Sequence, residues 1–310
     1  MTRIVIALGG NALLLNGERR DYETQVKHAY DALNSLAEVI EKEDVIITHG
    51  NGPQVGDIFL RNQDMQDMPP GMPLHACGGM SQGLIGEMIL EAYERVKKEK
   101  GLGKDLSVII TRTLVDRNDV GFQNPSKPVG QVFTDEEKEK IEKEKGWKFT
   151  KTEKGWRRVV PSPYPKDILE KRIIENNLIS GFVPVCVGGG GIPVVDNGKG
   201  FSGVEAVIDK DLASAVLAYM LECDQLLILT DVPNVYINYG KPEQRGLEKV
   251  TLNEIETYMN ENQFGKGSMA PKVNAAITFL KHGGKVARIG DLKDAINVYR
   301  GNRGTHIYAD

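Results

Sequence analysis

The sequence predicts an α/β protein built on a mostly parallel sheet with helices on both faces. Two observations carry this. Short apolar runs alternate along the chain with longer segments of helical period, the order that βαβ crossovers leave behind. Glycines, 34 in all, gather where several of those runs end. That is the edge at which an open parallel sheet keeps its ligand crevice.

The strand candidates are the runs at 3–8, 44–48, 106–111, 182–187, 225–230 and 285–289. Between them lie helical faces. Val26, Ala29, Tyr30, Leu33, Leu36, Ala37 and Ile40 fall on one side of a segment at 23–40. Leu84, Ile85, Met88, Ala92 and Val96 do so at 81–96. Val273, Ala276, Ile277 and Leu280 form a third stripe, with Pro271 in its first turn and Gly283-Gly284 as its stop. Two stretches depart from the alternation. Residues 122–163 are polar, hold both tryptophans (Trp147 and Trp156), and carry Thr134-Asp-Glu-Glu137, a capping box that opens a short solvated helix. This stretch reads as a small protruding subdomain or lid. Residues 238–249 read as a second polar loop.

Composition narrows the function classes. A 310-residue chain with 40% hydrophobic and 26% charged residues supports an ordinary globular core. Its net charge of −4 argues against nucleic acid as a partner, since phosphate-backbone binding wants a basic face. Cys77, Cys186 and Cys223 are far apart and show no CxxC spacing, so neither a disulfide framework nor a cysteine zinc site is expected. Inert thiols point to a reduced, cytoplasmic setting. No run approaches the ~20 apolar residues of a membrane span.

Three strand ends run into glycine: Gly9-Gly10-Asn11, His49-Gly50-Asn51-Gly52 and Gly188-Gly-Gly-Gly191. Glycine lets backbone approach a ligand closely, and N–H groups at helix starts attract anions. Three such loops on one edge suggest a site for phosphate oxygens, although neither GxxxxGK[ST] nor GxGxxG occurs. Three lysines have unusual surroundings. Lys127 stands between prolines in Asn124-Pro-Ser-Lys-Pro-Val-Gly130. Lys210 lies in Val207-Ile-Asp-Lys-Asp211, just ahead of an apolar helix at 212–221. Lys272 sits in the first turn of its helix, where a cation opposes the macrodipole unless an anion is bound nearby. The five histidines show no triad or zinc spacing and read as structural, with His49 placed to shape the loop at 50–52.

Seven motifs together resemble one family. They are Leu8-Gly-Gly-Asn-Ala-Leu13, Thr48-His-Gly-Asn-Gly-Pro-Gln-Val-Gly56, the Lys127 motif, Val160-Pro-Ser-Pro163, Gly188-Gly-Gly-Gly-Ile-Pro193, Gly203-Val-Glu-Ala-Val-Ile-Asp-Lys-Asp211 and Ile237-Asn-Tyr-Gly-Lys-Pro-Glu-Gln244. In order and spacing they look like carbamate kinase, of the amino-acid-kinase fold. The resemblance implies an open, mostly parallel sheet of about eight strands between helix layers, with a protruding lid at about 122–160. It implies one domain, 1–310, in two lobes: about 1–205 for the acceptor and about 206–310 for the nucleotide. A homodimer is the usual assembly.

By the same resemblance, Lys127, Lys210 and Lys272 are catalytic and Asp211 orients the lysines. Gly9, Gly10 and Asn11 cradle the transferring group, with Gly10 and Asn11 counted as catalytic. Gly50, Asn51 and Gly52 hold the acceptor. Asp231, Tyr236, Gly240, Lys241, Pro242 and Met269 lie toward the nucleotide. The implied substrates are ATP or ADP with carbamate or carbamoyl phosphate. Mg²⁺ is expected through nucleotide phosphates and water, with no protein ligand. Acetylglutamate-type kinases resemble the chain too, but carry a lysine where this sequence has Ala7. Lys127 replaces that charge from another direction, which favours carbamate. Glu87, Ser202 and Ala270 depart from the family pattern and bear on substrate fit. The alternatives are a kinase of another small acid, or a nucleotide-binding sensor without catalysis.

Overall fold

The strand Arg3–Leu8 lies near the middle of an eight-stranded sheet, and its burial explains the unbroken apolar run. In this computed structural model, residues 1–9, 13–14, 18–63, 71–265 and 267–309 are described. Gly10 and Asn11 lie outside them. The order across the sheet is Lys249–Thr251, Thr305–Tyr308, Val286–Asp291, Gln225–Thr230, Arg3–Leu8, Asp44–His49, Val183–Cys186 and Leu106–Val108. All neighbours are parallel except Val286–Asp291 with Thr305–Tyr308.

Successive side chains of a strand point to opposite faces, so this sheet builds two cores. Val5, Ala7, Ile46 and Ile228 meet the helices Lys210–Met220 and Met269–Lys281 on one face. Ile4, Ile6, Ile47 and Leu227 meet Tyr22–Lys42 and Leu74–Lys100 on the other. Each fully buried Ile or Leu contributes about 1.5–3 kcal/mol. The alternation expected from sequence is therefore the architecture found.

Three boundaries differ from expectation. The run at 106–111 leaves the main sheet after Val108 and continues as Arg112–Val115 in a second sheet of four strands, beside Ile192–Asp196. Gln82 explains the break. Its amide accepts from Thr111 N at 2.8 Å and donates to Thr111 O at 3.1 Å, standing in for a strand neighbour. The helix expected at 81–96 starts at Leu74, because Glu205 Oε1 accepts from Leu74 N at 2.7 Å and completes its first turn. The polar loop expected at 238–249 contains a strand, Arg245–Leu247, paired antiparallel with Val235–Ile237.

The stretch at 122–163 folds as a unit. Lys127–Phe133, Gly155–Val160 and Lys148–Thr152 form a three-stranded antiparallel sheet. The helix Asp135–Lys145 opens on the Thr134/Glu137 capping box. Among the described residues no helix is long and apolar enough to cross a membrane. The three cysteines are free and buried.

Candidate active site

Asp209 builds the first part of the site. It is extended (φ −68°, ψ 119°), and its Oδ1 accepts from Asp211 N at 3.0 Å and Leu212 N at 3.2 Å. That N-cap starts the helix at Lys210, two residues earlier than the sequence suggests. Lys210 and Asp211 are thus fixed on the first turn. Ser214, one turn on, donates its hydroxyl to Lys210 O at 2.6 Å, so Thr48 must supply the proton of the 2.7 Å Thr48–Ser214 bond. This buried pair docks the helix start against the end of Asp44–His49, beside the loop at 50–52.

Asp211 is 3% exposed and uses both carboxylate oxygens. Oδ1 pairs with Lys210 Nζ, and Oδ2 accepts from Lys272 Nζ at 2.9 Å. Burial works against its charge, but the two ammonium groups outweigh that and hold the carboxyl well below the usual carboxylate range. Burial lowers the Lys210 ammonium, and Lys272 adds to the effect against the pull of Asp211. Burial also works against Lys272, yet Asp211 first, then Asp209 and Asp231, keep its proton affinity above the ordinary value. The unfavourable cation near the start of Met269–Lys281 is therefore answered by a buried carboxylate of the protein itself.

Lys127 arrives from the protruding subdomain. Its Nζ donates to Asp209 Oδ2 at 2.7 Å. The structure thus brings Lys127, Lys210 and Lys272 together from three separate elements, on two carboxylates two residues apart. Ala7 is fully buried in the core.

The lid is seated by contacts that no sequence pattern announces. Arg158, in its strand Gly155–Val160, lies 4.0 Å from the Trp147 ring centre and 4.9 Å from that of Phe59. Its Nη2 is 3.5 Å from Glu205 Oε2, on the same carboxylate that caps Leu74–Lys100. Val129 and Val160 pack with Val55, Phe59, Leu74 and Cys77. A Cβ on Gly56 would stand 3.2 Å from Gly130 Cα, so the helix Gly52–Gln63 presses directly on the lid.

The glycine loops behave differently from one another. Gly9 N donates to Leu229 O at 2.9 Å and Gly50 N to Leu8 O at 3.1 Å, so both extend the sheet ladder. Gly52 opens the helix Gly52–Gln63, and the Asn51 amide donates to Ser81 Oγ at 2.8 Å. At Gly188–Gly191, Gly190 N donates to Val187 O and Gly191 N to Gly188 O, each at 3.0 Å, so these two amides are used within the loop. Added Cβ atoms at these four positions would strike His49, Asn51, Ile208 and Thr113 respectively, so the loop is filled by neighbouring protein atoms. His49 Nδ1 donates to Gly50 O at 3.0 Å, because a carbonyl can only accept. Burial, with Lys210 adding, pushes the imidazole down to about 4, so it is neutral and supports the loop.

Of the residues expected near the nucleotide, Asp231 follows the strand Gln225–Thr230 and acts electrostatically on Lys272. Met269 is the first residue of the helix carrying Lys272 and packs on the core. Tyr236, Gly240, Lys241 and Pro242 belong to the hairpin and its turn. Gly240 N donates to Gln244 Oε1 at 2.9 Å, Lys241 N donates to Asn238 O at 3.0 Å, and Tyr236 faces Tyr239 at 6.1 Å. Among the described residues no cluster of three His, Cys, Asp or Glu side chains is placed to hold a metal ion.

A doubly covered, mostly parallel sheet with converging lysines at its rim defines a class of phosphoryl-transfer protein. The family model of the amino acid kinase family matches residues 2–291, and the chain belongs to that family. That membership makes it an ATP-dependent phosphotransferase. Within the family it groups with the carbamate kinases. It is 55% identical over 307 residues to the carbamate kinase of Thermoplasma acidophilum, covering 99% of each chain. It is 45% identical over 312 residues to that of Thermococcus kodakarensis, again with 99% of each chain covered. The solved carbamate kinase from Giardia lamblia bound to AMP-PNP matches with a TM-score of 0.93 and 43% identity, over 100% of this chain and 99% of that one.

Proposed function

We propose that this chain catalyses reversible phosphoryl transfer between ATP and carbamate, so that carbamoyl phosphate and ADP exchange with carbamate and ATP. The observation that carries the reading is the convergence of Lys127, Lys210 and Lys272 on Asp209 and Asp211. Phosphoryl transfer needs positioning and charge stabilisation more than covalent chemistry. Ammonium groups ordered before the ligand arrives cost no reorganisation during the reaction. Carbamate is already an oxyanion and requires no general base. That accords with a neutral His49 whose Nδ1–H is held by Gly50 O.

In this reading Lys127, Lys210 and Lys272 spread their charge over the moving phosphoryl group, and Asp211 orients the latter two. Gly9, Gly10 and Asn11 lie against that group, and Gly50, Asn51 and Gly52 against the acceptor. Asp231, Met269, Tyr236, Gly240, Lys241 and Pro242 lie toward the nucleotide. In the same reading the acceptor belongs to the lobe at about 1–205 and the nucleotide to the lobe at about 206–310.

Asp209 and Asp211 are each engaged with ammonium groups, so a hard cation would be carried in by the nucleotide phosphates and not by these carboxylates. Mg²⁺ keeps several waters and binds through phosphate oxygens, and when bound it would neutralise charge between the phosphates. A homodimer in the cytoplasm completes the proposal. The buried free thiols support the location.

The test is a panel of acyl phosphates offered with ADP and Mg²⁺, read as ATP formed. Carbamoyl phosphate is expected to give the highest kcat/KM, well above acetylglutamyl phosphate. The reverse order, or nucleotide binding with no turnover of any acyl phosphate, would overturn the reading.

A further inference from the structure

Asp209 joins the lid to the catalytic helix through a single carboxylate. Oδ1 is occupied by the two backbone N–H groups that begin Lys210–Met220. Oδ2 is occupied by Lys127, which is 82 positions away in sequence and lies on a different structural unit. A second contact fixes the same junction: Val207 N donates to Pro161 O at 3.0 Å, just where the chain leaves the lid. The base of the lid is thereby tied two residues before Asp209, which keeps the carboxylate within reach of Lys127. An N-cap needs only one acceptor oxygen, so the cap alone does not require a second, anionic oxygen directed at the lid.

We propose that Asp209 is a positioning residue for Lys127, setting where the lid ammonium stands relative to Lys210 and Lys272 as well as starting the helix. This rests on the reading of Lys127 given above. Two effects oppose each other. Asp209 partly neutralises Lys127, which weakens its pull on an anion. It also holds a long, flexible side chain, 39% exposed, in one place. For a half-solvated cation the charge compensation is small. A misplacement of about 1 Å in a reacting array costs on the order of 100-fold. Positioning therefore wins, and loss of the Asp209 anion lowers turnover.

Asp209→Asn separates the two jobs, because asparagine caps helices as well as aspartate does but offers Lys127 no anion. Asp209→Ser is the companion variant: it caps the helix and is too short to reach the lid. Both are expected to melt close to the unsubstituted protein. Both should lose about 10- to 100-fold in kcat for ATP formation from carbamoyl phosphate and ADP, with KM for ADP unchanged. Lys127→Ala should lose about 100- to 1,000-fold. Adding Asp209→Asn to it should cost no more than about threefold further, because the residue to be positioned is gone. Normal or raised kcat in both Asp209 variants beside a crippled Lys127→Ala overturns this inference and leaves the role of Lys127 standing. Fully multiplicative losses in the double variant overturn it as well. A fully active Lys127→Ala removes the role of Lys127 and this inference with it.

Discussion

Lys272 donates to Asp211 Oδ2 at 2.9 Å, joining the first turns of two helices whose contact residues lie 61 positions apart. Because Asp211 also holds Lys210, one buried carboxylate orders two part-buried ammonium groups. Removing it strands both cations. Asp211→Ala is expected to destabilise the fold by about 3–5 kcal/mol, the usual cost of breaking a buried pair. Urea unfolding at pH 7 measures this. The Asp211 carboxyl is held below its unfolded value, so its contribution is full above that value and is lost as pH falls through the folded one.

His49 gives a separate pH signature. Its folded value of about 4 lies below the ordinary 6.5, so the unfolded chain takes up the proton first on acidification. Stability from this group is full above pH 6.5 and falls as pH drops from 6.5 to 4. Between pH 7 and pH 5 the loss should be about 2 kcal/mol. His49→Asn keeps a donor for Gly50 O and should flatten that part of the stability profile. An equally steep profile in the variant would assign the loss to other groups.

The lid should loosen when Arg158 is removed. Arg158→Ala deletes the stack on Trp147 and Phe59 and the Glu205 contact. A desolvated cation–π arrangement contributes about 1–2 kcal/mol. That corresponds to a 5- to 30-fold larger population of undocked lid. Limited proteolysis between 127 and 160, and a red shift of tryptophan emission, would report it.

Gly190 and Gly198 separate crowding from strain. Both have positive φ, +89° and +78°. A Cβ on Gly190 would lie 2.7 Å from Ile208 O, whereas nothing lies within 4 Å of one on Gly198. Gly198→Ala should cost about 1 kcal/mol from backbone strain alone. Gly190→Ala should cost at least 2–3 kcal/mol more, because Ile208 precedes the Asp209 cap and cannot retreat freely. Melting temperatures of the two variants check the difference.

Much of this was legible in the sequence because burial on both faces forces continuous apolar runs. Arg3–Leu8, Asp44–His49 and Gln225–Thr230 were found for that reason. Lys249–Thr251 and Thr305–Tyr308 escaped, being three and four residues long and carrying Thr and His where an apolar residue would have signalled a strand. Lys127, Lys210 and Lys272 stand out in the sequence through their prolines and helix starts. Asp209 did not, because an aspartate before a helix is ordinary, and its second oxygen bonds a residue 82 positions away. Arg158 and Glu205 meet only through the fold. At 188–191 the glycine letters show where side chains are missing but not that His49, Asn51, Ile208 and Thr113 take up the space.

In the proposed reaction three ammonium groups act together on the transferring phosphoryl group. The most direct test is single-turnover ATP formation from carbamoyl phosphate and ADP by Lys210→Ala and Lys272→Ala, with circular dichroism confirming that each remains folded. Each rate is expected to fall by about 10²–10³. Rates within a few-fold of the unsubstituted protein in both folded variants would contradict the account.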